Sequence, residues 1–116
     1  RKSYGGAYIG MCSRHLGADA VFAWPDAEIA VMGADGAANI IFSKEIKNTS
    51  DGVSRRKEKI AEYQEAMMNP YVAASRGYVD DVILPAETRK HVISVLEAFR
   101  GKRVQKMPKK HGNIPL

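Results

Sequence analysis

Two short apolar runs set the tightest limit on what this chain can fold into. Ala20 to Trp24 reads Ala-Val-Phe-Ala-Trp and is stopped by Pro25; Glu28 to Met32 reads Glu-Ile-Ala-Val-Met and is stopped by Gly33. Both have strand length, and neither alternates between polar and apolar side chains. A strand with one face in water alternates, so each run is expected to lie between covering layers. The covers must come from helical stretches elsewhere in the chain, which makes the class α/β or α+β with a helical majority.

The rest of the chain supplies those stretches. Gly5-Gly6-Ala7-Tyr8 can make a tight turn, and Ala7 to His15 then reads as a short helix carrying Met11 and Cys12 inward, with Gly17 placed to end it. Ala34 to Ile46 reads as a helix whose small-residue first turn allows close packing. Lys47 to Val53 is a loop by composition, and Ser54 is positioned to cap a helix running to about Met68, with Ile60, Tyr63 and Met67 on one face. Arg55, Arg56, Lys57 and Lys59 crowd its N-terminus, the unfavourable end for cations, so they answer to acids elsewhere or lie on a solvated face. Asn69-Pro70 breaks that helix and opens a short one that Gly77 closes. Tyr78 to Leu84 is an extended segment. Pro85 opens a last helix with an apolar stripe of Val92, Val95, Leu96 and Phe99, ended by Gly101.

Charge and composition exclude several function classes. The chain has 116 residues, 18 Lys plus Arg against 13 Asp plus Glu. Five of the basic residues (Lys102, Arg103, Lys106, Lys109, Lys110) fall after Gly101, where there are no acids. The body is therefore neutral, and a basic nucleic-acid-binding face on it is not expected. No apolar run approaches the roughly 20 residues that span a bilayer, and the first residues hold no signal-peptide core. One cysteine, Cys12, fits a reducing, cytoplasmic setting. His15, His91 and His111 are too far apart in sequence for a structural zinc site. The start at Arg1, without Met and directly on a Gly-rich segment, reads as a cut through a longer protein, and His111 to Leu116 as a natural end.

Side chains with obvious chemistry are scarce. Asp80-Asp81 are neighbours in an extended segment and point to opposite faces, which fits a turn or interface role better than an acid–base pair. Glu28, at the start of an apolar strand, reads as a cap or pairing partner. His91 sits on the expected solvated side of the last helix, Trp24-Pro25 reads as packing, and Met67-Met68 as a helix end against a neighbour. Gly5-Gly6-Ala7 ahead of a helix is either a plain tight turn or a turn whose free N–H groups hold a phosphate or an oxyanion. It lacks the further residues of a dinucleotide fingerprint or a P-loop. If the chain is an enzyme, its catalysis rests on backbone donors and positioning.

Four blocks carry a resemblance to a known family. They are Arg1 to Tyr8 (Arg-Lys-Ser-Tyr-Gly-Gly-Ala-Tyr), Ala23 to Gly33 (Ala-Trp-Pro-Asp-Ala-Glu-Ile-Ala-Val-Met-Gly), Arg76 to Ile83 (Arg-Gly-Tyr-Val-Asp-Asp-Val-Ile) and Lys109 to Leu116 (Lys-Lys-His-Gly-Asn-Ile-Pro-Leu). Together they resemble the last part of biotin-dependent acyl-CoA carboxyltransferases, such as propionyl-CoA carboxylase β, methylmalonyl-CoA decarboxylase α and the large transcarboxylase subunit. The likeness runs in order over essentially all of the chain.

The resemblance implies a crotonase-like fold of repeated β-β-α units, with residues 1–116 forming the C-terminal portion of the second such domain and the N-terminal domain missing. It implies carboxyl transfer between carboxybiotin and the α-carbon of a short-chain acyl-CoA, with no metal in this part. Biotin would arrive on a carrier protein or domain. Expected partners are the acyl-CoA, the biotin carboxyl carrier protein, a biotin carboxylase or membrane decarboxylase subunit, and further copies in a hexamer; nucleic acid is not among them. Carried over residue by residue, the backbone N–H groups of Gly6 and Ala7 are the oxyanion donors, and Gly5 and Ile9 contact substrate. Several propionyl-CoA carboxylases carry Asp where this chain has Ile9, so the acyl preference stays open. The tail would then meet subunits, the carrier or CoA phosphates. A structural or oligomerisation module, inactive alone, is the reading from another class.

Overall fold

The computed structural model describes residues 2–105, 107, 108, 110 and 112. The order is β1 (Lys2–Tyr4), α1 (Gly6–Gly10), a 3-10 turn (Arg14–Leu16), β2 (Phe22–Ala23), β3 (Glu28–Ala30), α2 (Ala34–Ile41), α3 (Ser43–Lys47), α4 (Gly52–Met67), α5 (Pro70–Ser75), β4 (Asp81–Val82), a second 3-10 turn (Pro85–Glu87) and α6 (Thr88–Ala98). The helical majority is as expected. Both apolar runs contain strands, shorter than the runs themselves.

The strands form two parallel pairs. β1 lies beside β3 with Ser3 opposite Ile29, and β2 beside β4 with Ala23 opposite Val82. Parallel neighbours need a crossover between them, and here each crossover passes through other elements of the chain. The β2–β4 pair carries a small core of Ala23, Ala73 and Val79, with Val21, Ala27 and Ile29 packed against it. α5 supplies Ala73, so one cover of β2 is helical, as the lack of alternation required.

β1 was not anticipated; three residues with Lys and Ser give no apolar signal. The short helix expected from Ala7 to His15 stops at Gly10. Cys12 turns the chain at φ 63°, and the N–H groups of Cys12 and Ser13 both donate to the Ile9 carbonyl, at 3.2 and 3.4 Å. Met11 and Cys12 therefore face outward, with Met11 66% exposed, and Ser13 is the residue carried inward. Gly17, in the left-handed region, ends the 3-10 turn.

The helix expected from Ala34 to Ile46 is two helices, because the backbone leaves helical geometry at Phe42 (φ −103°, ψ 12°). Its small first turn does allow close packing: Ala34, Ala37 and Ala38 are buried, where α2 meets α4. Ser54 does not cap α4. Asp51 does, its carboxylate accepting the Ser54 N–H at 3.1 Å, because the chain is already helical from Gly52. Three of the four cations at this end answer to acids: Arg55 pairs with Glu45 and Glu58, Arg56 with Asp35, and Lys59 with Glu62; Lys57 is exposed. Asn69 caps α5 by accepting the Val72 N–H, Pro70 sits in its first turn, and Gly77 follows at φ 76°.

α6 departs most from expectation. Pro85 opens a 3-10 turn and the α-helix starts at Thr88. Its apolar stripe is largely exposed, with Leu96 66% accessible. The face turned to the body instead carries Thr88, whose hydroxyl accepts the Trp24 indole N–H at 3.0 Å, and His91, whose ring meets Phe22 edge-on at 5.5 Å. His91 is thus half-buried, not solvated. Trp24 hydrogen-bonds to α6 at the surface; Met68 is buried at the end of α4, while Met67 is exposed.

Candidate functional site

Gly5 decides the local geometry. Its φ of 51° and ψ of −118° suit glycine, and a Cβ built there would stand 2.9 Å from the Val31 carbonyl oxygen. Its N–H donates to the Ala30 carbonyl at 2.9 Å, which continues the β1–β3 pairing up to the turn. The chain then enters α1. Ile9 is the first residue whose N–H finds a helical acceptor, the Gly5 carbonyl at 3.4 Å. The N–H groups of Gly6, Ala7 and Tyr8 come before it and have no acceptor within the helix. Gly6 and Ala7 are exposed, and a Cβ at Gly6 would meet no atom within 4 Å.

A groove of about 540 Å³ runs past this turn. Its lining includes Gly5 and Ile9, Ala30 at the end of β3 with Val31 just after it, and Met67 and Tyr78. The structure therefore brings two of the sequence-chosen residues, Gly5 and Ile9, onto one groove, with Gly6 and Ala7 between them. Ile9 is 45% exposed. A second cavity, about 320 Å³, includes Ser13, Trp24 and Thr88 in its lining; Tyr8 and Ile29 border both.

Residues that sequence reasoning passed over hold this region together. The Tyr8 hydroxyl donates to the Tyr78 carbonyl at 3.1 Å, and His15 lies between the two tyrosine rings. Burial pushes the Tyr8 phenol up, Arg14 pulls it partly back, and Tyr78 adds to the rise, so it stays a donor at neutral pH. Nothing in the spacing of Tyr8, His15 and Tyr78 could have shown this cluster, because it joins positions 70 apart. Of the turn or interface role expected for Asp80, the structure has the latter, between segments of the chain: its carboxylate pairs with Arg14 and accepts the Val21 N–H at 2.8 Å. Asp81 lies in β4, exposed. Glu28 is a pairing partner, accepting the Tyr4 hydroxyl across β1–β3. Burial and that carboxylate push the Tyr4 phenol up to about 12.

The site is thus a glycine-shaped turn with free first-turn N–H groups beside a groove that no Asp or Glu lines among the described residues. Compared with known proteins, residues 1–114 match the carboxyl transferase domain model, and the chain belongs to that family. It is 63% identical over 115 residues to the methylmalonyl-CoA carboxyltransferase 12S subunit of Propionibacterium freudenreichii subsp. shermanii, covering 99% of this chain and 22% of that protein. It is 55% identical over 116 residues to the methylmalonyl-CoA decarboxylase subunit alpha of Propionigenium modestum, covering all of this chain and 22% of the relative. The crystal structure of transcarboxylase 12S with methylmalonyl-coenzyme A and methylmalonic acid bound superposes with a TM-score of 0.91 at 62% identity, over all of this chain and 22% of that one. The fold is thus the crotonase-like α/β fold of carboxyltransferases. The chain spans about 22% of the length of these relatives.

Proposed function

We propose that this chain is the C-terminal portion of the second crotonase-like domain of a biotin-dependent, cytoplasmic acyl-CoA carboxyltransferase. The enzyme would move a carboxyl group between carboxybiotin and the α-carbon of propionyl-CoA or methylmalonyl-CoA. The observation that carries this reading is the open first turn of α1, set by Gly5, in a chain of the carboxyl transferase family. The names of the relatives supply the acyl-CoA class.

Biotin fits this turn by the chemistry of its donors: two successive amides suit one carbonyl-type oxygen carrying negative charge, and no side chain stands over Gly6. When bound, carried on a separate protein or domain, biotin supplies the carboxyl group and the base for the acyl α-proton. The residues here do the rest by position. Gly6 and Ala7 donate their N–H groups to the ureido oxygen, and Gly5 aligns them. Ile9, further along the groove, gives the acyl group an apolar neighbour. A complete site needs the first, N-terminal crotonase-like domain to hold the CoA, so residues 1–116 alone would not turn over. The small core, mostly alanine, supports that dependence.

The partners proposed with this activity are the acyl-CoA, the biotin carboxyl carrier, a biotin carboxylase or membrane decarboxylase subunit, and other copies of the full-length subunit in a hexamer. The 63% identity to a transcarboxylase subunit against 55% to a decarboxylase subunit favours the transcarboxylase form of the reaction. The test is Gly6→Val in the full-length enzyme. A branched side chain beside the Gly6 N–H should lower kcat by about 10²–10³ with assembly intact. Unchanged carboxyl transfer in an assembled variant rejects the assignment.

A further inference from the structure

We infer that His15 is a positioning residue for the groove beside α1, an inference that rests on the function proposed above. α1 has five residues and buries none of them. A helix that short does not hold itself in water, so its place must come from contacts made by its ends and side chains. One end is fixed by the Gly5 N–H on the Ala30 carbonyl. On the other side an anchor is Tyr8, whose hydroxyl donates to the Tyr78 carbonyl.

His15 fixes both partners of that bond. Its ring stacks on Tyr78 with centroids 5.4 Å apart and planes 29° apart, and meets Tyr8 edge-on at 5.8 Å and 79°. These are the two favoured arrangements of aromatic pairs, offset-stacked and T-shaped, made by a single ring at once. The 3-10 turn that carries it is docked to the same segment a second time, because Arg14 pairs with Asp80. Asp80 in turn accepts the Val21 N–H, so the clamp is tied to the chain entering β2. Tyr8, His15 and Tyr78 all line the groove, together with Gly5 and Ile9. His15 therefore acts through Tyr8: the ring sets the tyrosine, the tyrosine sets α1, and α1 presents its first-turn amides. A flat ring is required for this; an ionisable one is not.

The experiment compares His15→Ala and His15→Phe in the full-length, assembled enzyme, with two readouts. The first is amide hydrogen exchange over Gly5 to Met11, which needs no turnover. The second is kcat and KM for the acyl-CoA. His15→Ala should speed exchange in α1 and lower kcat by about tenfold, the scale of losing two aromatic contacts on one element, with KM little changed. His15→Phe should restore both. Unchanged exchange in His15→Ala overturns the clamp. Failure of Phe to rescue overturns it too, since imidazole chemistry would then be needed. Faster exchange with unchanged carboxyl transfer instead overturns the role proposed for the α1 turn.

Discussion

Two adjacent glycines should respond to the same substitution with opposite sign. At Gly5 the backbone sits at φ 51°, ψ −118°, where a residue with a Cβ carries about 1–3 kcal/mol of strain. The new Cβ would also lie 2.9 Å from the Val31 carbonyl oxygen, a backbone atom that cannot swing aside. Val31 follows β3, and Gly5 is itself bonded to Ala30, so relieving the clash pulls the turn off the sheet. Restricting the unfolded chain returns only about 0.4–1 kcal/mol. Gly5→Ala should therefore destabilise the turn by about 2 kcal/mol. At Gly6 the Cβ enters open space and the backbone is helical, so Gly6→Ala keeps its N–H and gains about 0.4–1 kcal/mol. The difference of about 3 kcal/mol is roughly a hundredfold in a local opening equilibrium. Amide exchange over Gly5 to Met11 in the full-length protein reads it directly. Equal exchange rates in the two variants would refute the geometry assigned to Gly5.

Two further substitutions test the packing around the site. Ser13 is 2% exposed and its hydroxyl has no hydrogen-bond partner among the described residues, so Ser13→Ala should be neutral or stabilise by about 1 kcal/mol, seen as a raised urea midpoint. A clear loss of stability would show that the hydroxyl is bonded. At the helical end, the Arg55 hydrogen bond holds the Glu45 carboxyl below its ordinary value of 4.5 against the opposing effect of burial, with the charges of Arg55 and Lys59 adding to the fall. A lowered folded value means that stability is present above pH 4.5 and lost as pH falls through the folded value. Glu45→Gln should therefore melt lower than the parent at pH 7, with the gap closing as pH falls below 4.5 and through the folded value. A gap independent of pH would disprove the pairing.

What could be read in advance follows from which signals are local. Pro25, Asn69-Pro70 and Gly77 turn or stop the chain through their own backbone chemistry close to where expected, while β3 ends at Ala30, before Gly33. The Gly5-Gly6-Ala7 turn was legible for the same reason. Cap identity was not, because Asp51 and Ser54 both fit a helix start and the choice depends on where the preceding loop releases the chain. Nor was the inward residue after α1. Helical spacing put Met11 and Cys12 inside, but the left-handed backbone at Cys12 ends the helix early and rotates Ser13 inward. The clamp of Tyr8, His15 and Tyr78 lay beyond any local signal. Lys106, Lys109 and most of the block from Lys109 to Leu116 lie outside the described residues; of the nearer tail, Lys102 pairs with Asp19 and lies over the Phe99 ring.

The last helix shows why a correct pattern can give the wrong face. Val92, Val95, Leu96 and Phe99 do share one side of α6, as their spacing requires, yet the body of this chain takes Thr88 and His91 instead. Periodicity states that a stripe wants cover; it does not state which cover. Five of the eight buried hydrophobic residues among those described are alanines, and the radius of gyration of 19.1 Å exceeds the about 13 Å of a compact chain of this length. Such a chain buries too little apolar surface to be its own partner. The small residues of α2 let it meet α4 closely, and the bulky ones on α6 remain outward. The relatives it matches are more than four times its length, and in this chain the stripe and the groove have the same need for a second surface. The contacts that hold α1 lie within this chain, which is why the His15 clamp, and not the apolar stripe, is where the contribution proposed for it can be measured.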